Sequence, residues 1–320
     1  MMKNTFTSFR RGMTMLELVF VIVILGIVAS IASSIIVQVY ESYIVQRALH
    51  RTSTKAELAA TQIVNRLTYR ISSSVIGRIP GGTFKPIDEL QPADSITHTA
   101  LEWIAYDNDS FSAQNTPGWS GFCDVDSNET NRTKISTPGS DLINSTNTII
   151  GNLSGAITPK TINNAAIIFA GHEYSPTINY IANCMGFDTN NSCISPINAT
   201  GTTATLITIE DNNPKVMTDQ YKLVWSAYAV VPTELTTAQY TDRGFDGTVK
   251  IYDLSLHYNY QPWDSTTVPS YNDGSSSILV TNVESFRFIG QGDTIRFKIC
   301  VVESIGESTI RSCKEKAVIR

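Results

Sequence analysis

A single carboxylate stands at the start of an apolar run in the segment RRGMTMLELVFVIVILG, residues 10–26. Glu17 precedes residues 18–37, which carry no charge. A carboxylate at the centre of a helix in hydrocarbon is destabilising by roughly 2.5 to 3.5 kcal/mol, and by less near a helix end. A well-placed positive group offsets this penalty where water is excluded. A carboxylate at this position therefore either pairs with a cation or extends toward the lipid headgroups, and these two interpretations stay open on the residues alone.

The residue types of common catalytic sites are scattered along the chain. Its four histidines are widely separated, and His172-Glu173 is not followed by the second histidine of a zinc-protease helix. The sequence contains no GxSxG motif and no phosphate-binding glycine loop, the signatures of serine hydrolases and of nucleotide-binding enzymes. We therefore expect no catalytic residue and no enzymatic activity.

The segment DVDSNET, residues 124–130, offers a candidate metal site. Asp124, Asp126 and Asn128 alternate, as the hard oxygen ligands of a calcium loop do. The segment lacks the glycine and the final glutamate of an EF-hand loop, so a polar loop is the favoured interpretation. We expect no cofactor, with calcium at these three residues as the weaker alternative.

The composition and the apolar run together indicate a membrane-anchored chain. Its 320 residues carry a net charge of −5 and are 42% apolar, which allows a sizeable core and argues against charge-driven binding of nucleic acid. Residues 18–37 are long enough to cross a hydrocarbon core of about 30 Å as a helix. Lys3, Arg10 and Arg11 precede this run, which predicts a single-pass anchor with a cytoplasmic N-terminus.

The five cysteines all follow the apolar run, in the part that would lie outside the cytoplasm, where disulfides persist. Cys184 and Cys193 are close in sequence, as are Cys300 and Cys313, and turn-rich residues separate each pair. We predict these two disulfides, which leaves Cys123 unassigned, although spacing alone does not fix connectivity.

Glu17 and the apolar run that follows it belong to a predicted long helix. Beyond the apolar run, small and apolar residues recur at steps of three and four, which predicts one buried helix face. The predicted helix comprises residues 13–77, with about 18–37 in the membrane and 38–77 amphipathic, and Gly77 and Pro80 end it. The buried stripe consists of Tyr40, Ile44, Ala48, Thr52, Ala56, Ala59, Ile63, Leu67, Ile71 and Val75.

The remaining chain divides into two parts by pattern. Residues 78–220 are rich in Asn, Thr, Ser, Gly and Pro, and predict a loop-rich variable insertion with short strands. Residues 221–320 show clear alternation separated by turn signals, and predict four or five antiparallel strands. A long helix covering such a sheet is an α+β arrangement.

The N-terminus resembles that of type IV pilins and of the pseudopilins of type II secretion. The resemblance consists of a short basic leader ending in Gly12, followed by MTMLELVFVIVILGIVAS with Glu17 as its fifth residue. Met13 stands where phenylalanine is usual, and Ser34 stands where many members have a proline that loosens the helix. The runs LVTNVESFRF and DTIRFKICVV are similar to the C-terminal strands of J-type minor pseudopilins and related minor pilins.

This resemblance implies how the chain is processed and where it resides. Residues 1–12 would be a leader that prepilin peptidase removes between Gly12 and Met13, with N-methylation of Met13. Glu17 would then pair with the new amine, including that of a neighbouring subunit during assembly. The implied fold is the pilin fold, and the implied partners are other minor and major pilins or pseudopilins, an inner-membrane assembly platform and membrane lipid. The location would be the bacterial inner membrane, with a periplasmic head, and then a filament.

Two hypotheses for function remain open. The first is a minor pilin or pseudopilin at a filament tip, which helps to initiate a type II secretion pseudopilus or a type IV pilus and assists protein secretion. The second is a tip adhesin, or a DNA-uptake minor pilin, whose insertion binds a ligand, with an aromatic lining from Trp103, Trp119 or Trp263. Nucleic acid is expected as a partner only in the case of DNA uptake.

Overall fold

A computed structural model describes most of the chain from Thr14 onward. Gly12 and Met13 lie outside the described residues. The chain divides into two units, residues 1–51 and 52–320. The described residues are 14–112, 117–155, 159–170, 182–188, 190–198, 204–210, 216–264, 270–306 and 308–319.

The described part of the first unit belongs to one long helix, α1 (Met15–Leu67). All side chains of residues 14–43 are exposed. Apolar residues around the whole circumference of a helix are typical of a membrane segment. By length and composition α1 contains a window able to cross a membrane, with a mean hydropathy of 2.8. The helix is unbroken at Ser34, whose hydroxyl donates to the Ile31 carbonyl at 2.8 Å.

The helix ends at Leu67, ten residues before the end that the sequence predicts at residue 77. The Arg70 side chain donates from Nη1 to the Leu67 carbonyl at 2.9 Å, which satisfies one of the free carbonyls at a helix end. The backbone N–H of Ile71 then donates to the Ile104 carbonyl at 2.8 Å. Ile71 and Val75 continue the helical spacing of apolar residues and are buried. They lie beyond the end of the helix, so their burial does not come from a helix face.

Seven short strands and two short helices follow α1. The strands form between long loops, in agreement with the loop-rich pattern of residues 78–220, and the predicted pieces LEWIAY, AAIIFA and TATLITIE all contribute strands. The elements are β1 (Ile76–Arg78), β2 (Phe84–Pro86), β3 (Ala100–Tyr106), α2 (Asn108–Ser112), β4 (Lys134–Ser136), α3 (Asn147–Ser154), β5 (Ala166–Phe169), β6 (Ser195–Asn198) and β7 (Leu206–Ile209).

The C-terminal part forms five long strands that pair consecutively and antiparallel. The prediction of four or five strands from residue 221 is therefore confirmed. Gly292, with φ of 57°, occupies the tight turn between the third and fourth of these strands. The elements are β8 (Tyr221–Glu234), α4 (Thr237–Asp242), β9 (Tyr252–Tyr260), β10 (Ser275–Gln291), β11 (Thr294–Ile305) and β12 (Ser308–Val318).

The twelve strands found in the described residues join one sheet. Neighbouring strands along its main path are β12-β11-β10-β9-β8-β5-β6-β7-β4. Off this path, β3 pairs with β8, β1 pairs with β3, and β2 pairs with β1. Val224 of β8 is the register partner of both Tyr106 in β3 and Ala166 in β5, so β3 and β5 lie on opposite edges of β8. The strands of the predicted insertion therefore extend the C-terminal sheet.

One face of the sheet is covered by the part of α1 that belongs to the second unit. Ala56, Ala59 and Ala60 are buried in this layer together with Ile63 and Leu67. Small residues let the helix backbone approach the strands closely, and the larger side chains fill the space between them. The facing strand residues include Leu101, Trp103, Leu254, Phe286, Phe297, Ile299 and Val301.

Three further apolar clusters lie in the described part of the chain, the smallest of them formed by Leu235, Ile251 and Val302. The two larger ones are the following. One lies on the other face of the sheet and includes Ile104, Ala227 and Trp263; the other joins Trp119, Ile135 and neighbouring residues of the insertion. Trp103, Trp119 and Trp263 are exposed by only 0%, 3% and 4%. The expected aromatic binding surface built from these tryptophans is therefore wrong, because their rings fill the core.

Candidate functional site

The first turn of α1 forms a closed pair between Thr14 and Glu17. The Thr14 backbone N–H donates to Glu17 Oε2 at 3.2 Å, and the Thr14 hydroxyl donates to the same oxygen at 3.1 Å. In return, the Glu17 backbone N–H donates to Thr14 Oγ1 at 3.3 Å. This reciprocal arrangement is a capping box, which satisfies backbone groups that a helix start leaves without partners.

In this capping box, Glu17 stabilises the first turn of its own helix. A negative side chain in the first turn also interacts favourably with the positive end of the helix dipole. The carboxylate is thus held at the N-terminal end of α1 by Thr14. The sequence carries the signal for this arrangement as Thr-x-x-Glu, which the sequence analysis did not use.

The helix that follows Glu17 exposes a continuous apolar surface. Leu18, Phe20 and Ile24 are 48%, 60% and 58% exposed. Monomeric soluble proteins rarely expose apolar patches of this extent, which mark contacts with membranes or other proteins. The site therefore joins a charged end to a surface suited to hydrocarbon or to packing against other apolar helices.

The structure brings the four paired cysteines together as the sequence predicts. Cys184 bonds to Cys193 and Cys300 bonds to Cys313. The second disulfide joins directly opposed residues of β11 and β12. Cys123 is free and buried, and burial, aided by the nearby charges of Asp124 and Asp219, raises the pKa of its thiol to about 11.

The candidate calcium residues lie in an exposed turn. Asp126 and Asn128 are exposed and Asp124 is partly buried. The Asp124 carbonyl accepts from the Thr130 hydroxyl at 2.5 Å, which closes this turn. Among the described residues there is no group of three or more His, Cys, Asp or Glu side chains able to hold a metal ion.

A buried ion pair that the sequence analysis missed fixes the centre of the head. Arg78 Nε lies 2.6 Å from Glu102 Oε2, and the Tyr260 hydroxyl donates to Glu102 Oε1 at 2.8 Å. Arg78 Nη2 also donates to the Phe187 carbonyl at 3.1 Å, next to the Cys184–Cys193 disulfide. Burial raises the pKa of Glu102 against the opposing effect of Arg78. The network joins β1, β3 and β9 to the disulfide segment.

Polar contacts connect α1, and the residues just beyond its end, to the last strand within the second unit; among them Lys314 Nζ lies 3.8 Å from Glu57 Oε2. Lys316 Nζ lies 2.5 Å from Glu57 Oε1, and this bond holds the pKa of Glu57 below its usual value. Arg70 Nη2 donates to the Asp293 carbonyl at 3.0 Å and to the Val318 carbonyl at 3.4 Å. The end of the helix is thereby fastened to the β10–β11 turn and to β12.

Comparison with protein families supports the interpretation of the N-terminus. Residues 7–33 match the family described as the prokaryotic N-terminal methylation motif. This match supports the type IV pilin and pseudopilin family, and the α+β structure, a long apolar helix followed by an antiparallel sheet, is consistent with the pilin fold. No match was found among curated proteins or among solved structures.

Proposed function

We propose that the chain is a minor pilin or pseudopilin, cleaved by prepilin peptidase after Gly12 and assembled through Met13 and Glu17 into a type II secretion pseudopilus or a type IV pilus. The observation that carries this proposal is the combination, on one helix, of the methylation motif, the capped Glu17 and the exposed apolar surface of residues 14–43. The proposal assigns the chain no catalytic reaction and no cofactor.

The proposed orientation is a cytoplasmic leader and a periplasmic head at the inner membrane. Lys3, Arg10 and Arg11 precede the apolar run, as the positive-inside rule expects of a cytoplasmic segment. The Cys184–Cys193 and Cys300–Cys313 disulfides support a head in an oxidising compartment. The proposed partners are prepilin peptidase, other pilins or pseudopilins, the assembly platform and membrane lipid.

The proposed place in the filament is the tip. Seven strands and two helices of the insertion add to the five-stranded C-terminal sheet, so the head is larger than that sheet alone. Such bulk would crowd neighbouring heads along a shaft, whereas a tip subunit has neighbours on one side only. Low copy number and a role in initiating assembly follow from this position.

Mass spectrometry of the membrane-extracted protein tests the processing step. In cells with active prepilin peptidase, the mature chain should begin at N-methylated Met13. The same cells without the peptidase should yield the leader-bearing form. A leader-bearing chain in the presence of active peptidase would contradict the proposal, and Gly12→Val provides a cleavage-resistant control.

Substitutions at Glu17 separate its charge from its capping role. Glu17→Gln keeps an oxygen acceptor for the Thr14 N–H and hydroxyl, since glutamine also forms capping boxes, but removes the negative charge. Glu17→Val removes both. We expect both variants to enter the membrane and both to be depleted from purified filaments. Normal incorporation of Glu17→Gln alongside depletion of Glu17→Val would show that the cap matters and that charge pairing does not.

A further inference from the structure

We propose that a pocket on the head, between α1 and the strands β8, β9 and β10, binds an uncharged saccharide ring. The pocket encloses a volume of about 330 Å³, within the range of small-molecule sites. Gln62 of α1, Trp225 and Tyr228 of β8, and Tyr258 and Asn259 of β9 line it. This inference goes beyond the proposed filament role and does not depend on which filament the chain joins.

Asn259 is the polar residue at the wall of this pocket that is most deeply buried, at 5% exposure. Its Nδ2 donates to the Ser154 carbonyl at 2.8 Å, whereas its Oδ1 has no hydrogen-bond partner within the described part of the chain. Asn259 also has φ of 62°, a left-handed conformation that Asn adopts more readily than most residues with a side chain.

Aromatic rings form the apolar part of the lining. Trp225, Tyr228 and Tyr258 all border the pocket. The Arg66 guanidinium lies over the Tyr228 ring at 5.3 Å from its centroid, and the Tyr258 hydroxyl lies 3.3 Å from Ser277 Oγ. The Tyr228 ring also stacks on Trp103, with 5.9 Å between the ring centroids, so it is already engaged by Trp103 and Arg66. This leaves Trp225 and Tyr258 as the aromatic residues of the lining for contact with a ligand.

The mixture of polar groups selects the class of ligand. The amides of Gln62 and Asn259 and the Ser277 hydroxyl each offer donors and acceptors. Arg66 adds a cation and Asp109 an anion to the lining, so a ligand with a single net charge would be attracted by one of them and repelled by the other, and the pair favours neither sign. An apolar ligand would leave the amides without partners. A saccharide ring matches the whole set, because its C–H faces pack on aromatic rings and its hydroxyls both donate and accept.

Binding of free sugars to the full-length chain tests this inference. The protein should be extracted in a polyoxyethylene detergent, because glucoside and maltoside detergents carry sugar headgroups that would compete. Saturation-transfer NMR and calorimetry with glucose, galactose and N-acetylglucosamine should detect binding of at least one sugar. Absence of binding by all three, or binding of glycine in their place, would overturn the proposal.

The chain offers a matched control for Asn259. Asn259→Gly should weaken sugar binding by about tenfold, the effect of losing one or two hydrogen bonds. Asn282 shares the φ of 62° but does not line the pocket, so Asn282→Gly should bind as the parent does. Gln62→Ala, at an exposed helix position, should also weaken binding and does not depend on the folding of the β9 variant. Equal losses in all three variants, or no loss in Asn259→Gly and Gln62→Ala, would contradict the assignment.

Discussion

The two halves of α1 follow opposite rules of burial although they belong to one continuous helix. Residues 14–43 expose every side chain and are mostly apolar. Residues 52–67 bury one narrow face, formed by Thr52 and by small and apolar residues such as Ala56 and Ile63. The first half therefore needs an external apolar environment, whereas the second half receives its environment from the sheet of the same chain.

This difference shows that high hydropathy specifies only an apolar environment, whereas a one-sided helical pattern specifies contact with a particular surface. An apolar circumference is stabilised by hydrocarbon or by neighbouring apolar helices, and its side chains need not fit one particular partner surface. A single apolar face with alanines at the contact must fit the strands that it covers. The same type of substitution should therefore have different consequences in the two halves.

The largest expected contrast comes from shortening an isoleucine in each half. Ile63 is 1% exposed and Ile27 is 57% exposed. Ile63→Ala should lower the unfolding free energy of the head by about 2–5 kcal/mol, because it leaves a cavity, whereas Ile27→Ala should leave that free energy unchanged. Denaturant unfolding in detergent, followed by tryptophan fluorescence, measures both. Similar losses in the two variants would break the comparison.

Introducing a negative charge should affect the first half of α1 more than the second, the reverse of the result for the isoleucines. Val28 and Leu58 have similar exposure, at 58% and 63%. Val28→Asp should oppose membrane insertion by about 2.5–3.5 kcal/mol and move part of the protein out of the carbonate-resistant membrane fraction. Leu58→Asp lies outside the apolar run and should stay in that fraction. Equal retention of both variants would show that residues 18–37 do not hold the chain in the membrane.

The smallest expected effect is a pH dependence confined to the head. Partial burial lowers the pKa of His257 from its ordinary value of about 6.5. The folded state then binds fewer protons than the unfolded state near and below this pH, so head stability should fall as the pH falls through 6.5. His257→Gln should flatten the slope of unfolding midpoint against pH between 7.5 and 5.5. His50→Gln, at an exposed position of α1, is the control and should keep the parent slope.

The sequence predicted the features that depend on local signals. Cys300 and Cys313 were paired by their proximity in sequence, and four or five C-terminal strands were predicted from alternation between turns, one of which contains Gly292. The end of α1 was misplaced because Ile71 and Val75 continue the helical spacing, while contacts distant in sequence, such as the bond from Ile71 to Ile104, decide their conformation. Short strands such as β1 and β5 have too few residues for a clear alternation of apolar and polar side chains. The sequence therefore does not predict that they pair into the same sheet.

The candidate site shows the same division. Gly12, Met13 and Glu17 form a local motif that could be recognised directly, and the Thr14 cap was equally available in the sequence. The Arg78–Glu102 pair joins residues of separate strands, and nothing in either neighbourhood marks them as partners. The pocket at Asn259 likewise combines one helix with three strands, and only the folded chain brings its lining together.

The attachment of β12 to α1 sets the order in which the head can be completed. Glu57 and Lys316 are separated by 259 residues in sequence, and Arg70 reaches the Val318 carbonyl from just beyond the end of the helix. Contacts of such long range slow folding, because a large loop must close before they form. The sheet and the helix that covers it therefore cannot make these contacts until the chain has been synthesised as far as residue 318.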